Sequence, residues 1–309
     1  MRIAYILTAY QRPAQLVRLI KRLNSPTATF FIHVDRKTDG RTFAQMVEPL
    51  KSFAHVFFLE RHACYWGDFS QVRASLAGIR ELMERRTPFD YAMLLTGQDY
   101  PLKSNACLED FLEKSGGDSY LSYYPMPLAS WAGHGGMDRI NHWHAQWLQR
   151  IWVLLTLRNP FRAGNLRSPA KGIFLPPRSW PFPMRLFGGE AHWCLSKKCI
   201  EYIHDFLRRD TAYLRFFKHV GIPDEIFYQT LLLNSPLAPS LKNTRIHYIN
   251  WNGNPAPVIL RCTDFETLLQ SPCLFARKFD TTVDAEIMDQ LDRVLDAAPD
   301  RQVIGLNGA

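Results

Sequence analysis

Several acidic residues at predicted turns and element ends could take a proton from a substrate hydroxyl, which requires a carboxylate or imidazole held close to it. The candidates are Asp35, Asp68, Asp99, Glu190, Asp224 and Glu225. Glu225 follows Pro223 and Asp224 at the start of a predicted helix, where an acid interacts favourably with the helix dipole. From composition alone, this structural role is favoured over a catalytic role for Glu225.

The Arg277-Lys278 pair, flanked by Phe275 and Phe279, is a candidate for neutralising a phosphate group. The sequence has no Asp-x-Asp motif, with which many nucleotide-sugar enzymes hold a divalent ion on a diphosphate. The alternative interpretation is a solvated pair of cations on a surface loop. Phosphate-binding P-loop, dinucleotide-binding and nucleophile-elbow motifs are also missing, which disfavours those enzyme classes.

Metal ligation has weak support in the sequence. His142 and His144 are spaced as two ligands on one face of a strand would be, but no third ligand follows. A polar aromatic loop around Trp143 is therefore the favoured interpretation. The six cysteines contain no C-x-x-C pair and no zinc-type spacing, so we expect reduced thiols in the core.

Apolar runs alternate with amphipathic segments over most of the chain, which predicts a mainly parallel sheet flanked by helices. Strands are predicted at residues 2–9, 29–34, 55–59, 91–96 and 191–195. Helices are predicted at residues 12–23, 68–85, 197–207, 223–233 and 283–295. Ligands of such sheets bind beyond the carboxyl ends of the strands, where Asp35 and Asp99 lie.

Residues 125–187 interrupt this alternation and are rich in Pro, Gly, Trp, His and Arg. A long irregular insertion in a compact domain is usually a binding loop or a lid. We therefore expect an acceptor-binding insertion here, with Arg139 and Trp143 as candidate acceptor contacts.

The net charge and the length of the apolar stretches indicate which partners and which location to expect. The 309 residues carry a formal net charge of +8, which favours an anionic partner such as a nucleotide diphosphate. No long basic tail is present, so nucleic acid is not expected. The N-terminal segment is neither a signal peptide nor a membrane span, and no later stretch reaches a spanning length. We expect a cytoplasmic protein with peripheral contact to the inner face of a membrane.

Seven short segments, in the same order along the chain, carry a resemblance to a known enzyme family. They are residues 33–35, 65–67, 95–101, 187–189, 223–228, 245–251 and 274–280. Together they resemble the branching beta-1,6-N-acetylglucosaminyltransferases and, more closely, the peptide O-xylosyltransferases, over roughly residues 1–295. These families are inverting enzymes of the GT-A type. The resemblance implies a GT-A-like, Rossmann-related α/β fold, with a nucleotide-sugar-binding half at residues 1–120 and an acceptor-binding and catalytic half at residues 121–309.

The resemblance also implies a role for individual residues. Glu225 matches the general base, and Lys278, beside Arg277, matches the residue that contacts the donor diphosphate. Asp35 matches a residue of the uridine site, while Asp99 and the buried tryptophan at Trp251 match residues that line the pocket.

Two positions match the family less closely. An acidic acceptor-binding residue of the xylosyltransferases falls at Glu190 or Ala191. A second diphosphate-binding arginine could correspond to Arg245 or Arg261.

The implied activity is inverting transfer of xylose or N-acetylglucosamine from a UDP-sugar to a glycan, glycolipid or protein hydroxyl, in surface glycan synthesis. No metal or other cofactor is expected. The family's membrane anchor, stem and most disulfides have no counterpart in the sequence, as expected of a bacterial-type cytoplasmic enzyme. Two alternatives remain: a glycoside hydrolase that uses Glu190 and Glu225, or a non-catalytic polysaccharide-binding protein.

Overall fold

Twelve strands form three sheets in the computed structural model, which describes residues 1–144, 176–253 and 256–297. The strands are β1 (Ile3–Ala9), β2 (Ala28–Val34), β3 (Val56–Phe58), β4 (Tyr91–Thr96), β5 (Asp99–Pro101), β6 (Ser119–Leu121), β7 (Tyr124–Pro125), β8 (Phe187–Gly188), β9 (Trp193–Ser196), β10 (Leu241–Asn243), β11 (His247–Ile249) and β12 (Phe275–Arg277). The predicted strands near the N-terminus, at residues 91–96 and around residue 193 are therefore confirmed.

The largest sheet has seven strands in the order β10-β6-β9-β4-β1-β2-β3. Strands β3, β2, β1 and β4 run parallel, and β10 runs parallel to β6. Strand β9 is antiparallel to both of its neighbours, β4 and β6. The prediction of a mainly parallel sheet is confirmed, and strands of both predicted halves share it.

Helices cover both faces of this sheet. In the described part of the chain they are α1 (Pro13–Leu23), α2 (Gly40–Val47), α3 (Phe69–Glu84), α4 (Asn105–Lys114), α5 (Ala132–Gly135), α6 (Asp138–Asn141), α7 (Lys197–Arg209), α8 (Thr211–Phe217), α9 (Phe227–Leu233), α10 (Phe265–Gln270) and α11 (Glu286–Ala297). Helix α3 begins after Asp68, whose side chain accepts a hydrogen bond from the Ser70 amide at 2.8 Å.

The core has two layers because successive side chains of a strand point to opposite faces of the sheet. Tyr5 and Leu7 of β1 pack in one cluster with apolar residues of α1, α4 and α11. Ala4 and Ile6 of the same strand pack in the other cluster with α3, α7 and α9. The result is the α/β arrangement that the alternating pattern predicts.

A second sheet, in the order β11-β12-β5, has no counterpart in the sequence predictions. Strand β12 is antiparallel to β5, and this register places Arg277 opposite Asp99. Phe275 and Phe279, on either side of the predicted cation pair, have no solvent exposure. The interpretation of this segment as a surface loop is therefore wrong, because its aromatic residues pack in the core.

The predicted helix at residues 223–233 is divided in two. Pro223–Glu225 forms a single 3₁₀ turn, and α9 begins only at Phe227. Ile226, with φ −131°, separates them because it leaves the helical region.

The predicted insertion is only partly described, since residues 145–175 lie outside the described residues. Its described parts contain β7, β8, two four-residue helices and irregular backbone. His142 and His144 lie in the irregular stretch after α6 rather than on a strand, as the loop interpretation predicts.

The six cysteines form no disulfide, and five of them are buried, which confirms the prediction of reduced core thiols. Among the helices of residues 1–144, 176–253 and 256–297, none combines the length and apolar composition needed to cross a bilayer.

Close packing between α3 and β1 generates a stability prediction. A Cβ atom added at Gly78 would lie 2.5 Å from Cγ2 of Ile6. Gly78→Ala should lower the free energy of unfolding by about 1–3 kcal/mol, because a β-branched side chain on a buried strand has little room to move. Gly40→Ala is the matched control, since an added Cβ there meets no atom within 4 Å. Equal midpoints of urea unfolding for both variants would contradict the prediction.

Candidate active site

A cavity of about 570 Å³ opens beyond the carboxyl ends of β1, β2 and β4. Ala9, Asp35 and Thr96, at or just after these ends, contribute to its wall. The order of the strands reverses here, because β2 and β3 lie on one side of β1 and β4 lies on the other. Open α/β sheets bind their ligands at such a switch point.

The loop after β2 presents Asp35 to this cavity. Its Oδ1 accepts a hydrogen bond from the Lys37 amide at 2.8 Å. The Arg61 guanidinium donates to the carbonyl oxygens of Asp35 and Thr38 at 2.9 and 2.5 Å, and it lies over the Phe43 ring. Arg61 therefore fixes the backbone that carries Asp35.

Arg277 and Lys278 line the cavity at the end of β12. Nη1 of Arg277 lies 2.5 Å from Nε2 of His192, and its Nε lies 3.5 Å from Oδ1 of Asp99. Burial, followed by the charge of Arg277, lowers the pKa of Lys278. Within the described residues, the Lys278 ammonium makes no ion pair within 4.0 Å. Two adjacent cations, one of them uncompensated, therefore border the cavity.

Asp99 lies behind Arg277 and does not line the cavity. Its side chain has no solvent exposure and accepts hydrogen bonds from the amide and hydroxyl of Thr96 at 2.7 and 2.8 Å. Burial by itself would raise the pKa of Asp99. The charge of Arg277, followed by the contact with the His247 imidazole, outweighs burial, so the pKa of Asp99 lies well below its usual range.

Three carboxyl groups, of Glu190, Asp224 and Glu225, line the same cavity. Oε2 of Glu225 accepts a hydrogen bond from Nη1 of Arg139 at 2.6 Å. The Arg139 guanidinium lies over the Trp131 ring at 4.0 Å, which fixes its plane.

The other two carboxyl groups are held in less polar surroundings. Burial raises the pKa of Glu190, although its Oε1 lies 2.9 Å from Nε of Arg245. Burial and the nearby Glu225 raise the pKa of Asp224 to about 6, and Oδ1 of Asp224 accepts no hydrogen bond from the described residues. The cavity therefore holds two carboxyl groups with a raised pKa, which suits acid–base chemistry.

The backbone around Glu225 is fixed by two close contacts. The Gly189 amide donates to the Glu225 carbonyl at 2.8 Å. A Cβ at Gly189 would lie 1.9 Å from the Ser122 carbonyl oxygen, so this approach requires glycine. Ile222, just before the 3₁₀ turn, has φ 46°, which is strained for a β-branched residue.

Exposed aromatic side chains lie around the opening. Tyr10, Trp66 and Trp251 line the cavity, with 53%, 80% and 43% of their surface exposed. The buried environment implied for Trp251 is therefore wrong, because the residue lies beyond the end of β11 at the opening. Such aromatic faces can stack on sugars or bases.

The sequence model of the Core-2/I-branching enzyme family matches residues 3–269, and this range contains most of the cavity wall. The chain belongs to the Core-2/I-branching enzyme family. The relationship predicted from the short segments is thereby confirmed, and it extends over most of the sequence.

Two relatives illustrate the extent of the similarity. Xylosyltransferase 2 of Rattus norvegicus is 28% identical over 314 residues, covering 94% of this chain and 33% of the relative. Xylosyltransferase 1 of Homo sapiens is 26% identical over 316 residues, covering 95% and 30%. This Core-2/I-branching family member therefore spans about a third of the length of these relatives.

Among solved structures, the chain is similar to a galactosyltransferase, LgtC, in complex with donor and acceptor sugar analogues. The TM-score is 0.41 and the sequence identity is 11%, with 95% of this chain and 96% of that chain covered.

In this Core-2/I-branching family member, most of the predicted site residues meet in one cavity. Those in its wall are Asp35, Glu190, Glu225, Trp251, Arg277 and Lys278. Arg139 reaches the cavity through Glu225. Trp143 lies elsewhere, with its Nε1 donating to the Pro176 carbonyl at 3.0 Å and its ring beside His219. The functional roles of all these residues remain predictions.

The sequence predicts no role for two histidines that lie beside the cation pair. His192 and His247 contact Asp99, and their ring centroids lie 4.3 Å apart. No local pattern marks either residue, since they are far apart in the sequence. Arg245, a candidate for the second diphosphate-binding arginine, pairs with Glu190 instead, and neither it nor Arg261 lines the cavity.

The raised pKa of Asp224 predicts how the folding stability of the protein depends on pH. Between about pH 4, where an unfolded aspartate loses its proton, and about pH 6, the folded state holds a proton that the unfolded state has released. The free energy of unfolding contributed by Asp224 therefore falls as pH rises through this window. Asp224→Asn removes this loss, so its melting temperature relative to wild type should increase from pH 4 to pH 7.

Differential scanning calorimetry at several pH values measures this difference. Asp205→Asn, on an exposed part of α7, is the control and should follow wild type throughout. Parallel curves for Asp224→Asn and wild type would show that Asp224 does not hold a proton in the folded state.

Proposed function

We propose that this Core-2/I-branching family member is an inverting glycosyltransferase that transfers a sugar from a UDP donor to a hydroxyl acceptor. The observation that carries the proposal is a single cavity at the strand-order switch point that combines two cations with a set of carboxyl groups. Family membership and the names of the relatives support it. Those names favour xylose over N-acetylglucosamine as the transferred sugar.

Glu225 is the proposed general base. Its carboxylate takes the proton of the acceptor hydroxyl, the oxygen attacks the anomeric carbon, and the bond from that carbon to UDP breaks. Single displacement converts an α-linked donor into a β-linked product. Arg139 holds Oε2 of Glu225, so one carboxylate orientation is maintained for the proton transfer.

Arg277 and Lys278 are the proposed partners of the leaving diphosphate. Negative charge develops on the leaving oxygen, and preorganised cations stabilise it more strongly in the transition state than in the ground state. Because two cations border the cavity and the sequence lacks Asp-x-Asp, we propose that no divalent ion is required. Asp35, at the end of β2, is the proposed uridine contact.

The acceptor is proposed to be a glycan, glycolipid or protein hydroxyl that reaches the cavity past Trp66 and Trp251. A role in surface glycan synthesis, a cytoplasmic location and peripheral membrane contact stay predictions. A glycoside hydrolase or a non-catalytic polysaccharide-binding protein would need no UDP-sugar. Turnover with a panel of UDP-sugars therefore separates these functions.

Glu225→Gln should lower transfer by about 10²- to 10⁴-fold, because the amide cannot accept the proton. Its affinity for UDP should be close to that of wild type, since the change is assigned to proton transfer. Turnover with UDP-xylose and UDP-N-acetylglucosamine, and UDP titration calorimetry, measure the two quantities.

Glu190→Gln is the matched control because Glu190 lines the same cavity but pairs with Arg245. It should lose less activity than Glu225→Gln. If Glu190→Gln were equally inactive and both residues were needed to cleave a glycan without UDP, a glycoside hydrolase would replace the proposed glycosyltransferase.

Activity should persist in excess EDTA, since Arg277 and Lys278 are proposed to replace a divalent ion. Lys278→Ala should lower kcat by roughly 10²-fold, with a smaller rise in the donor KM, because its charge acts mainly on the transition state. Steady-state kinetics with and without EDTA test both statements. Complete loss in EDTA that manganese restores would overturn metal independence, and wild-type kinetics of Lys278→Ala would remove this residue from the site.

A further inference from the structure

Asp99, His192 and His247 form a buried group beside Arg277, which we call the Asp99–histidine cluster; of the three, His192 also lines the cavity. All three side chains are less than a tenth exposed. Oδ2 of Asp99 lies 3.3 Å from Nε2 of His247 and 3.8 Å from Nε2 of His192. The three residues come from β5, β11 and the segment before β9, so only the folded chain brings them together.

The contact between Arg277 and His192 fixes the protonation of His192. A guanidinium can donate hydrogen bonds but cannot accept them. Nε2 of His192, 2.5 Å from Nη1 of Arg277, must therefore be an acceptor. Burial, followed by the charge of Arg277, lowers the pKa of His192 well below its usual value, and burial also lowers the pKa of His247. Both imidazoles are consequently neutral at neutral pH.

The cluster separates the roles of the two neighbouring cations. Asp99 compensates the charge of Arg277, whereas Lys278 has no carboxylate within 4.0 Å among the described residues. Arg277 therefore contributes oriented hydrogen bonds more than net charge. Its Nε faces Asp99 and its Nη1 faces His192, which leaves Nη2 and the remaining protons of the fork for a ligand in the cavity.

We propose that His192 directly, and His247 through Asp99, are positioning residues that hold the Arg277 guanidinium in place to bind the donor diphosphate. This inference rests on the proposed function, because it assumes a UDP-sugar donor. Neutral imidazoles suit this positioning role, since they can accept a hydrogen bond from the Arg277 guanidinium without repelling its positive charge. Without them, the Arg277 side chain would have to be ordered when the donor binds, which weakens affinity.

The same three residues also offer metal-ligand atoms, all within 4.8 Å of one another. A metal ion there would have to displace Arg277, because Nη1 occupies the space in front of the His192 Nε2. The described side chains therefore favour a guanidinium over a metal ion. The two occupants are mutually exclusive, so metal binding can be used as a test.

UDP and uridine differ only by the diphosphate. Comparing their dissociation constants therefore isolates the effect of the cluster on diphosphate binding. His192→Leu removes the acceptor and should weaken UDP binding by roughly tenfold or more, the usual loss for one hydrogen bond to a charged group. Uridine binding should change less than about twofold, which also reports that the variant is folded. His192→Gln keeps an acceptor oxygen and should restore most of the UDP affinity. His219→Leu, outside the cavity wall, is the control and should bind both ligands like wild type.

The double variant with Arg277→Ala decides whether His192 acts through Arg277. In that background, His192→Leu should cause no further loss of UDP affinity. A further tenfold loss, or an equal loss of uridine affinity in His192→Leu, would overturn the inference. UDP binding that does not depend on His192 would remove the inference alone, whereas a wild-type protein that binds no UDP would also remove the proposed function.

Cobalt titration supplies a readout that is independent of UDP. Wild-type protein and His247→Gln should show the same d–d absorption at stoichiometric cobalt, because any cobalt bound by the separate group of His33, His62 and Cys64 contributes equally to both. Bands that appear in wild type and disappear in His247→Gln would identify a metal site in the cluster. They would overturn the inference that the cluster positions the Arg277 guanidinium.

Discussion

The carboxylate of Asp99 has no contact with solvent, and much of the site depends on how its charge is balanced. An unpaired carboxylate in such a position would be strongly destabilising. Thr96 donates two hydrogen bonds to it from the end of β4, and Arg277 supplies the opposite charge from β12. Because one ion pair links β5 to β12, the register of the small sheet and the position of the cavity cation are set together.

In the other part of the cavity, close packing holds the backbone, and an ion pair with Arg139 holds the Glu225 side chain. Glu225 is held by the amide of Gly189, and only glycine can approach Ser122 closely enough for that contact. The left-handed backbone of Ile222 then turns the chain into the 3₁₀ turn that carries the carboxyl groups. Glu225 and the two cations are thus held by separate contacts, and each group can be altered by mutation without directly changing the other.

The sequence predicts long elements well and short ones poorly. Helix α3 repeats its apolar spacing over 16 residues, so the period is unambiguous. Strands β5, β11 and β12 have three residues each, too few for a period, and β12 pairs with a strand far away in the chain. For this reason the sequence predicts no strand at Arg277 and leaves a surface loop open as the alternative interpretation of the Arg277-Lys278 pair. Only the family resemblance predicts a catalytic role for Glu225, since its local pattern indicates a helix start. Isolated histidines such as His192 carry no signal of the cluster they form.

The pairing of β5 with β12 affects the order in which the protein is completed during synthesis. Asp99 leaves the ribosome about 180 residues before Arg277, a delay of roughly 10–35 s at typical elongation rates. During that time the parallel strands β1 to β4 can already associate, while the Asp99 carboxylate must stay hydrated or protonated. The cavity wall is therefore complete only after Arg277 and Lys278 have left the ribosome, and a nascent chain that is truncated before β12 would leave β5 and β11 without the strand that pairs with both.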